Sequence, residues 1–382
     1  MLRAMAAQPA RTSLSGHDAA LDGLRALAAG LVVATHAAFL TGSVTSLGLL
    51  GRILGRGDIG VAIFFALSGY LLYLGFLRWP GQPVGSYYLR RAARVLPAYL
   101  LTLAVVVAAT RPAPRDALLH ALGLQIYAPG SHLPAFSQSW SIATELSFYA
   151  VLPAAAFGVH ALRSRNPQAP LRLLVVALPL AVLISGLTPG ADLEVDVPVE
   201  RWLPARSASF LVGMILAEVV MDPGHPISAR VRRWLREPTA LLAMAATTYL
   251  LATTPIAGLL TLGTVSGGQL AVKMALSCVI SAILLGIVVL GPATAYTRAL
   301  SSPVATWLGR ISYGIFLWHL PVFTGLYAVT GVSYFAGGLI PLLAIGLPIT
   351  LALAAASHAW VEEPIMRWAA RSRRRGAHLA AR

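Results

Sequence analysis

Ten stretches of this sequence run for about the length of a bilayer crossing while carrying almost no charge: roughly 22–41, 58–77, 95–110, 140–158, 171–188, 206–221, 239–262, 269–290, 307–331 and 336–358. A helix needs about 17 to 25 apolar residues to cross a hydrocarbon core about 30 Å thick, so each window is a candidate span. The windows are continuous in Ala, Leu, Val and Ile rather than alternating, which excludes the short two-faced strands of a membrane barrel. Only 11% of the 382 residues are charged, against about a quarter in a soluble domain, so water is not the main solvent. The fold class expected is all-α, a polytopic helical bundle of about ten membrane helices.

The net charge of +15 would suggest nucleic acid as a partner in a soluble chain, but here its distribution says otherwise. Ten crossings put both termini on one side. Summed by loop, that side carries 21 arginines and the other 6, with Arg25 and Lys273 in or at spans. The positive-inside rule assigns the arginine-rich side, and both termini, to the cytoplasm, with no nucleic-acid partner. Three segments follow: a cytoplasmic tail at 1–20, a membrane domain at 21–367 and a basic cytoplasmic tail at 368–382. The stretch from Arg111 to Ser139 reads as an outer loop with a short interfacial helix, and Asp192, Glu194, Asp196 and Glu200 as a solvated acidic outer loop. Cys278, the only cysteine, lies in a span, so neither an intrachain disulfide nor a thiolate metal cluster is available, and no metal is expected.

Ionisable residues inside spans are costly and are functional candidates by default. Arg25 and His36 lie eleven residues apart, about 1100° of helical turn, so both share one face and stand about 16 Å apart along the axis. The alternative is a helix-capping arginine and a histidine hydrogen bonded between helices. Arg91 and Arg94, three apart at the inner end of the third window, present two guanidinium forks suited to phosphate oxygens, or to lipid headgroups. Glu145 lies in an apolar window and forms one stripe with Ser141 and Tyr149; a buried carboxylate needs a partner, and His36 or an arginine is the natural one. Phe64 to Tyr70, Ile311 to His319, where Ser312 and His319 share a face, and Val361 to Pro364 also stand out, with helix packing as their plainer reading.

Taken in order, these pieces resemble the membrane acyltransferase-3 family of bacterial O-acyltransferases. The matching features are Arg-x10-His at Arg25 and His36, Phe-Phe-x-x-Ser-Gly-Tyr at Phe64 to Tyr70, and Arg-x-x-Arg at Arg91 and Arg94. Trp-Ser-x-x-x-Glu at Trp140 to Glu145, Ser-Tyr with a later His at Ser312 to His319, and a Glu-x-Pro-like end at Glu362 to Pro364 complete them. The resemblance covers Leu21 to Arg367. Some members carry an appended extracytoplasmic domain, which is expected to be missing here.

The resemblance implies a multi-pass cell-membrane O-acyltransferase that takes an acyl group, expected to be acetyl, from acyl-CoA as co-substrate, with no bound cofactor. The acceptor is a hydroxyl on a sugar, polysaccharide, glycolipid or macrolide. In this reading His36 is the general base, since a neutral imidazole is suited to take a hydroxyl proton near pH 7. Glu145 or another carboxylate fixes its tautomer and stabilises the imidazolium, Arg91 and Arg94 hold the coenzyme phosphates, and Arg25 joins them or lines the passage for the donor arm; direct transfer and an acyl-histidine intermediate both stay open. One cavity through the membrane is expected, with the three arginines toward the cytoplasm and His36 with Glu145 farther out. A proton-coupled transporter or flippase built on the same polar residues is the rival class; the absence of inverted repeats counts against it.

Overall fold

The computed structural model describes residues 14–188, 197–260 and 265–369, with side chains from residue 19. Arg3 and Arg11, most of the basic C-terminal tail, and Asp192, Glu194 and Asp196 lie outside the described residues. Ten helices, each on one expected window, build the bundle: α1 Leu14–Leu40, α2 Ile59–Arg78, α3 Val84–Thr110, α4 Trp140–Arg165 and α5 Ala169–Gly186. They continue with α6 Leu203–Met221, α7 Pro238–Ala252, α8 Gly267–Leu290, α9 Ser312–Thr330 and α10 Leu339–Ser357. No strand occurs among the described residues.

Eight helical segments among the described residues are long and apolar enough to cross a membrane, and α7 and α9 are not among them. The reasons differ. The seventh window is expected to run to residue 262, but its helix stops at Ala252, because Pro255 cannot continue it and Gly258 adopts φ +83°. Its 15 residues rise only about 22 Å. In α9, Ser312, Tyr313 and His319 dilute an apolar helix whose polar groups are needed inside the bundle. Conversely, α3 starts eleven residues before its window, at Val84, so Arg90, Arg91 and Arg94 ride on its first turns. Its other end is marked by Arg111 at φ 48° followed by Pro112. The outer loop contains the expected short helix, Pro114–Ala121, and a 3-10 segment, Pro134–Ser139, that leads into α4.

At the centre, α2 packs against α1, α4, α6 and α8. Hydrocarbon gives helices no hydrophobic reason to associate, so close approach and polar ties must hold them. The closest approach is α2 on α6: a methyl group added at Gly69 would overlap the Phe210 carbonyl oxygen, and one at Gly213 the Ala66 carbonyl oxygen. With the backbones this near, Phe65, Phe210 and Phe148 stack in series with ring centroids 4.4 and 4.1 Å apart. A second tie joins three helices. Glu218 on α6, 1% exposed, accepts a 2.5 Å bond from the Tyr73 hydroxyl on α2 and takes both carboxylate bonds from Arg163 on α4. A buried carboxylate held by a guanidinium and a phenol has its lone pairs occupied.

This packing makes the glycine of the Ser-Gly-Tyr motif structural. Gly69→Val should lower stability by about 1 to 3 kcal/mol through forced separation of α2 and α6. Thermal unfolding of the detergent-solubilised protein would show it, and an unchanged melting temperature would mean that the helices do not touch there.

Candidate functional site

Two cavities lie along α1, and the sequence-marked residues divide between them. The smaller, about 120 Å3, is lined by Arg25, Arg91, Arg94, Glu145 and Tyr149 together with Ser68 and Ser312. The larger, about 700 Å3, is lined by His36, Thr35 and Trp140 and by a group of charged side chains from α6, α8 and the short 3-10 segments that precede α2 and α6. Val61 and Phe65 line both. The register that puts Arg25 and His36 on one face of α1 therefore aims each into a different chamber.

In the smaller cavity the three guanidinium groups are held differently. Arg25 is paired with Asp22 one turn earlier on α1. Arg94 reaches the fully buried Glu362 at 3.4 Å and the Met366 sulfur at 3.5 Å. Glu362 closes a π-helical turn, His358–Glu362, that extends α10, so the Glu-x-Pro-like motif is packed against α3. Arg91 has no carboxylate partner among the described residues, and its Nε is buried without a hydrogen bond. Opposite stands Glu145, whose Oε1 accepts from the Ser68 and Tyr149 hydroxyls, the latter at 2.7 Å. The volume is that of about four waters at about 30 Å3 each, enough for a phosphate group or a slender chain and too small for a nucleotide.

The expected pairing of Glu145 with His36 is not present. Glu145 is on the arginine side, and the partner of His36 is His319 on α9, whose Nε2 lies 3.2 Å from His36 Nδ1 with ring centroids 5.0 Å apart. The physical reason is helix order: α9 packs on α1 at the level of His36, while the Glu145 stripe of α4 faces Ser68 on α2. The two backbone contacts determine the tautomers. His319 Nδ1 lies 3.1 Å from the Ile315 carbonyl and His36 Nδ1 lies 2.9 Å from the Val32 carbonyl. A carbonyl only accepts, so both Nδ1 atoms carry the proton and His319 Nε2 is left with a lone pair. His36 Nδ1–H is then shared between Val32 and His319, and its Nε2 is left as a lone pair without a hydrogen-bonding partner among the described residues. His319 itself is 0% exposed, whereas His36 is half-buried on the wall of the larger cavity. Sequence reasoning grouped His319 with Ser312 by shared face; only the packing of α9 on α1 separates them, Ser312 to the smaller cavity and His319 to His36.

The single cavity expected through the membrane is seen as two adjoining volumes that share Val61 and Phe65 in their walls. Phe65 is held at this junction between Phe210 and the edge of Trp140, with ring centroids 4.4 and 6.3 Å away. Among the described residues, no group of three or more His, Cys, Asp or Glu side chains could hold a metal ion. Several residues that sequence reasoning left as topological charges or did not single out also line the larger cavity: Arg56, Asp58, Arg201, Arg206 and Lys273. The signal for them was the Arg-Gly-Asp just before the second window and the lone lysine inside the eighth.

With this geometry in hand, comparison with known proteins is specific. The acyltransferase-3 profile, an acyltransferase domain, matches residues 18–358. The chain is 28% identical over 369 residues to the putative peptidoglycan O-acetyltransferase YrhL of Bacillus subtilis, covering 90% of this chain and 54% of that protein. It is 24% identical over 370 residues to the O-acetyltransferase OatA of Staphylococcus aureus, covering 90% and 56%. The peptidoglycan O-acetyltransferase OatA of Listeria monocytogenes is 28% identical over 332 residues, covering 80% and 49%. The chain thus spans about half the length of the curated relatives it matches. No solved structure matches it, and nothing in these comparisons supports a transporter.

The accessibility of the two imidazoles can be read chemically. Diethyl pyrocarbonate should carbethoxylate His36 and spare His319, as detected by peptide mass spectrometry, because only His36 Nε2 combines a lone pair with an open cavity. Modification of His319 first would contradict the burial that separates the two rings.

Proposed function

The chain belongs to the membrane acyltransferase-3 family, and from that premise we propose that it is an O-acyltransferase moving an acetyl group from acetyl-CoA to a hydroxyl of a saccharide acceptor. The observation that carries this reading is the His36–His319 pair, which leaves a lone pair on His36 Nε2 at the wall of a cavity large enough for a saccharide, next to a narrow arginine-lined chamber. Donor and acceptor are thereby given separate chambers. The acetyl group follows the printed names of the relatives, O-acetyltransferases of peptidoglycan in two of the three cases.

In this reading the donor's phosphates dock on Arg91 and Arg94, with the nucleotide outside the 120 Å3 chamber and the pantetheine arm inside it. Arg91 is suited to the task because no protein carboxylate competes for it among the described residues. Glu145, held by Ser68 and Tyr149, keeps one oxygen for an amide N–H or hydroxyl of that arm, and so acts by positioning rather than on His36. Arg25 stands beside the same path. The thioester then crosses at Val61 and Phe65 to reach His36.

The acceptor hydroxyl attacks the thioester carbonyl carbon as His36 Nε2 takes its proton. The tetrahedral intermediate expels the sulfur, the C–S bond breaks as the C–O ester bond remains, and the proton passes from Nε2 to the thiolate. His319 is a positioning residue: by accepting from His36 Nδ1–H it keeps the proton off Nε2 and aims the ring. Sidedness follows from charge. With the ten crossings read from the sequence, the arginine distribution of 21 against 6 supports a donor chamber facing the cytoplasm, where acyl-CoA is made, and a His36 chamber facing outward.

Three variants test the scheme by following free thiol released from acetyl-CoA with a peptidoglycan-fragment acceptor. His36→Ala should abolish release with expression and melting unchanged; ordinary turnover would remove His36 from the reaction. His319→Ala should lower kcat about tenfold to a hundredfold with little change in donor KM, and His319→Gln, whose amide oxygen still accepts from Nδ1–H, should retain more activity. Equal loss in both would reduce His319 to a packing role. Arg91→Gln should raise donor KM about tenfold or more, an effect that shrinks as salt is added; a variant that binds coenzyme A normally but inserts poorly would instead make Arg91 a lipid anchor.

A further inference from the structure

The larger cavity holds more positive charge than its own acids can neutralise. Four cationic side chains line it, Arg56, Arg201, Arg206 and Lys273, against two carboxylates, Asp58 and Glu200. Lys273 is paired with Asp58, and Arg201 with Glu200 at 3.5 Å. This leaves two guanidinium groups with no carboxylate in ion-pair contact among the described residues, Asp58 and Glu200 acting on them only from farther off. Arg56, only 1% exposed, gives Nη2 to the Gly258 carbonyl at 2.9 Å, while its Nε is buried without a partner. Arg206 gives Nε to the Glu200 carbonyl at 2.7 Å and lies over the Trp140 ring, 4.9 Å from its centre. His132 adds no charge near pH 7, because burial and then Arg201 hold its imidazole below the usual value.

A charge drawn from water without a counter-charge is costly, so guanidinium groups kept unpaired on a cavity wall favour an anion there. A guanidinium offers five donors in a planar fork matched to carboxylate and phosphate, and most of those on Arg56 and Arg206 are uncommitted. A second observation lies at the rim. Phe335 is a non-glycine residue held at φ 65°, locked by its N–H on the Leu40 carbonyl at 2.8 Å, and is left 53% exposed beside Tyr334. A left-handed backbone at a bulky residue is strained, and strain of this kind collects at ligand sites. Aromatic faces at a cavity mouth suit the apolar face of a sugar ring.

We propose that the acceptor is an anionic saccharide, one whose carboxylate or phosphate is bound by Arg206 and Arg56 while its sugar rings rest on Tyr334 and Phe335, with the target hydroxyl brought to His36. This rests on the acyl-transfer reading for the hydroxyl at His36, but the anion site itself does not need that reading.

The test therefore separates binding from turnover. Equilibrium binding to the detergent-solubilised protein, without donor, is measured for an oligogalacturonide and its carboxyl-reduced counterpart, and for glucose 6-phosphate and glucose. At least one anionic probe should bind tenfold or more tightly than its neutral partner. The carboxylate and phosphate arms show which anion the forks prefer. Arg206→Gln should erase the preference and leave the neutral probe unchanged, whereas Arg206→Lys, which keeps the charge, should retain part of it; melting curves check that both variants are folded. If neither anionic probe is preferred, or if the preference survives in Arg206→Gln, the anionic-acceptor proposal is wrong. Thiol release from acetyl-CoA is then followed with the same probes: failure of turnover despite anion-selective binding would sink the transfer reading and leave the anion site standing.

Discussion

Hydrocarbon offers a polar side chain no partner, so every charged or hydrogen-bonding group on these helices has to be answered by another helix or by a cavity. The arrangement of the bundle follows from how those answers are found. Glu218 draws Tyr73 and Arg163 to itself and so ties α6 to α2 and α4; Glu362 draws Arg94 and seats the end of α10 on α3. Of the groups left over, some, such as Arg232 Nε and Trp318 Nε1, lie elsewhere in the bundle, but Arg91, His36 Nε2, Arg56 and Arg206, which lack a full set of protein partners among the described residues, lie on the walls of the two cavities. Groups that packing alone would have paired or removed are kept where a solute can reach them, and this is the physical basis for reading these walls as sites.

The α1 helix makes the two sites one system. Gly23 on α1 lies so close to Leu300, and Gly309 so close to Asp22 on α1, that neither glycine could carry a side chain. The helix is therefore wedged in one rotation, and its Arg25 and His36 are aimed with no freedom to turn. A rigid α1 carries the spacing between Arg25 and His36, the donor-side residue and the base of the proposed reaction, as a fixed length of about 16 Å of helical rise.

That spacing was legible from sequence, because helical register is local arithmetic: Arg25 with His36, Arg91 with Arg94 and the Ser141–Glu145–Tyr149 stripe each occupy the shared face that the period requires. Helix existence was legible for the same reason, ten windows and ten helices. What register cannot supply is which helices touch. Glu145 was given to His36 by chemical plausibility, yet α4 faces α2 at that height and its carboxylate meets Ser68, a residue whose motif had been read as packing. His319 was read alongside Ser312 on one face of α9, and the approach of α9 to α1 makes it the partner of His36. Arg56 and Arg206 entered only as topological charges, since nothing local shows that an arginine just before α2 and one near the start of α6 end in one chamber.

The junction between the chambers has a physical logic of its own. A membrane protein with one open cavity from face to face would pass water and ions down their gradients, whatever else it did. Phe65, clamped between Phe210 and Trp140, and Val61 line both volumes where they adjoin and give that junction an apolar surface, which resists wetting. A thioester arm is unlike water in this respect, being a narrow chain whose methylene groups lose little on passing between aromatic and aliphatic side chains. An apolar junction at Val61 and Phe65 therefore discriminates by solvation: it is a barrier to charge and a permissible path for an uncharged acyl chain. In the proposed transfer the donor's phosphates stay behind, on the side of the junction where Arg91 and Arg94 line the cavity. Under that proposal the arginines and the apolar junction have a joint function, one restraining the charged end of the donor while the other lets only its reactive end through to His36.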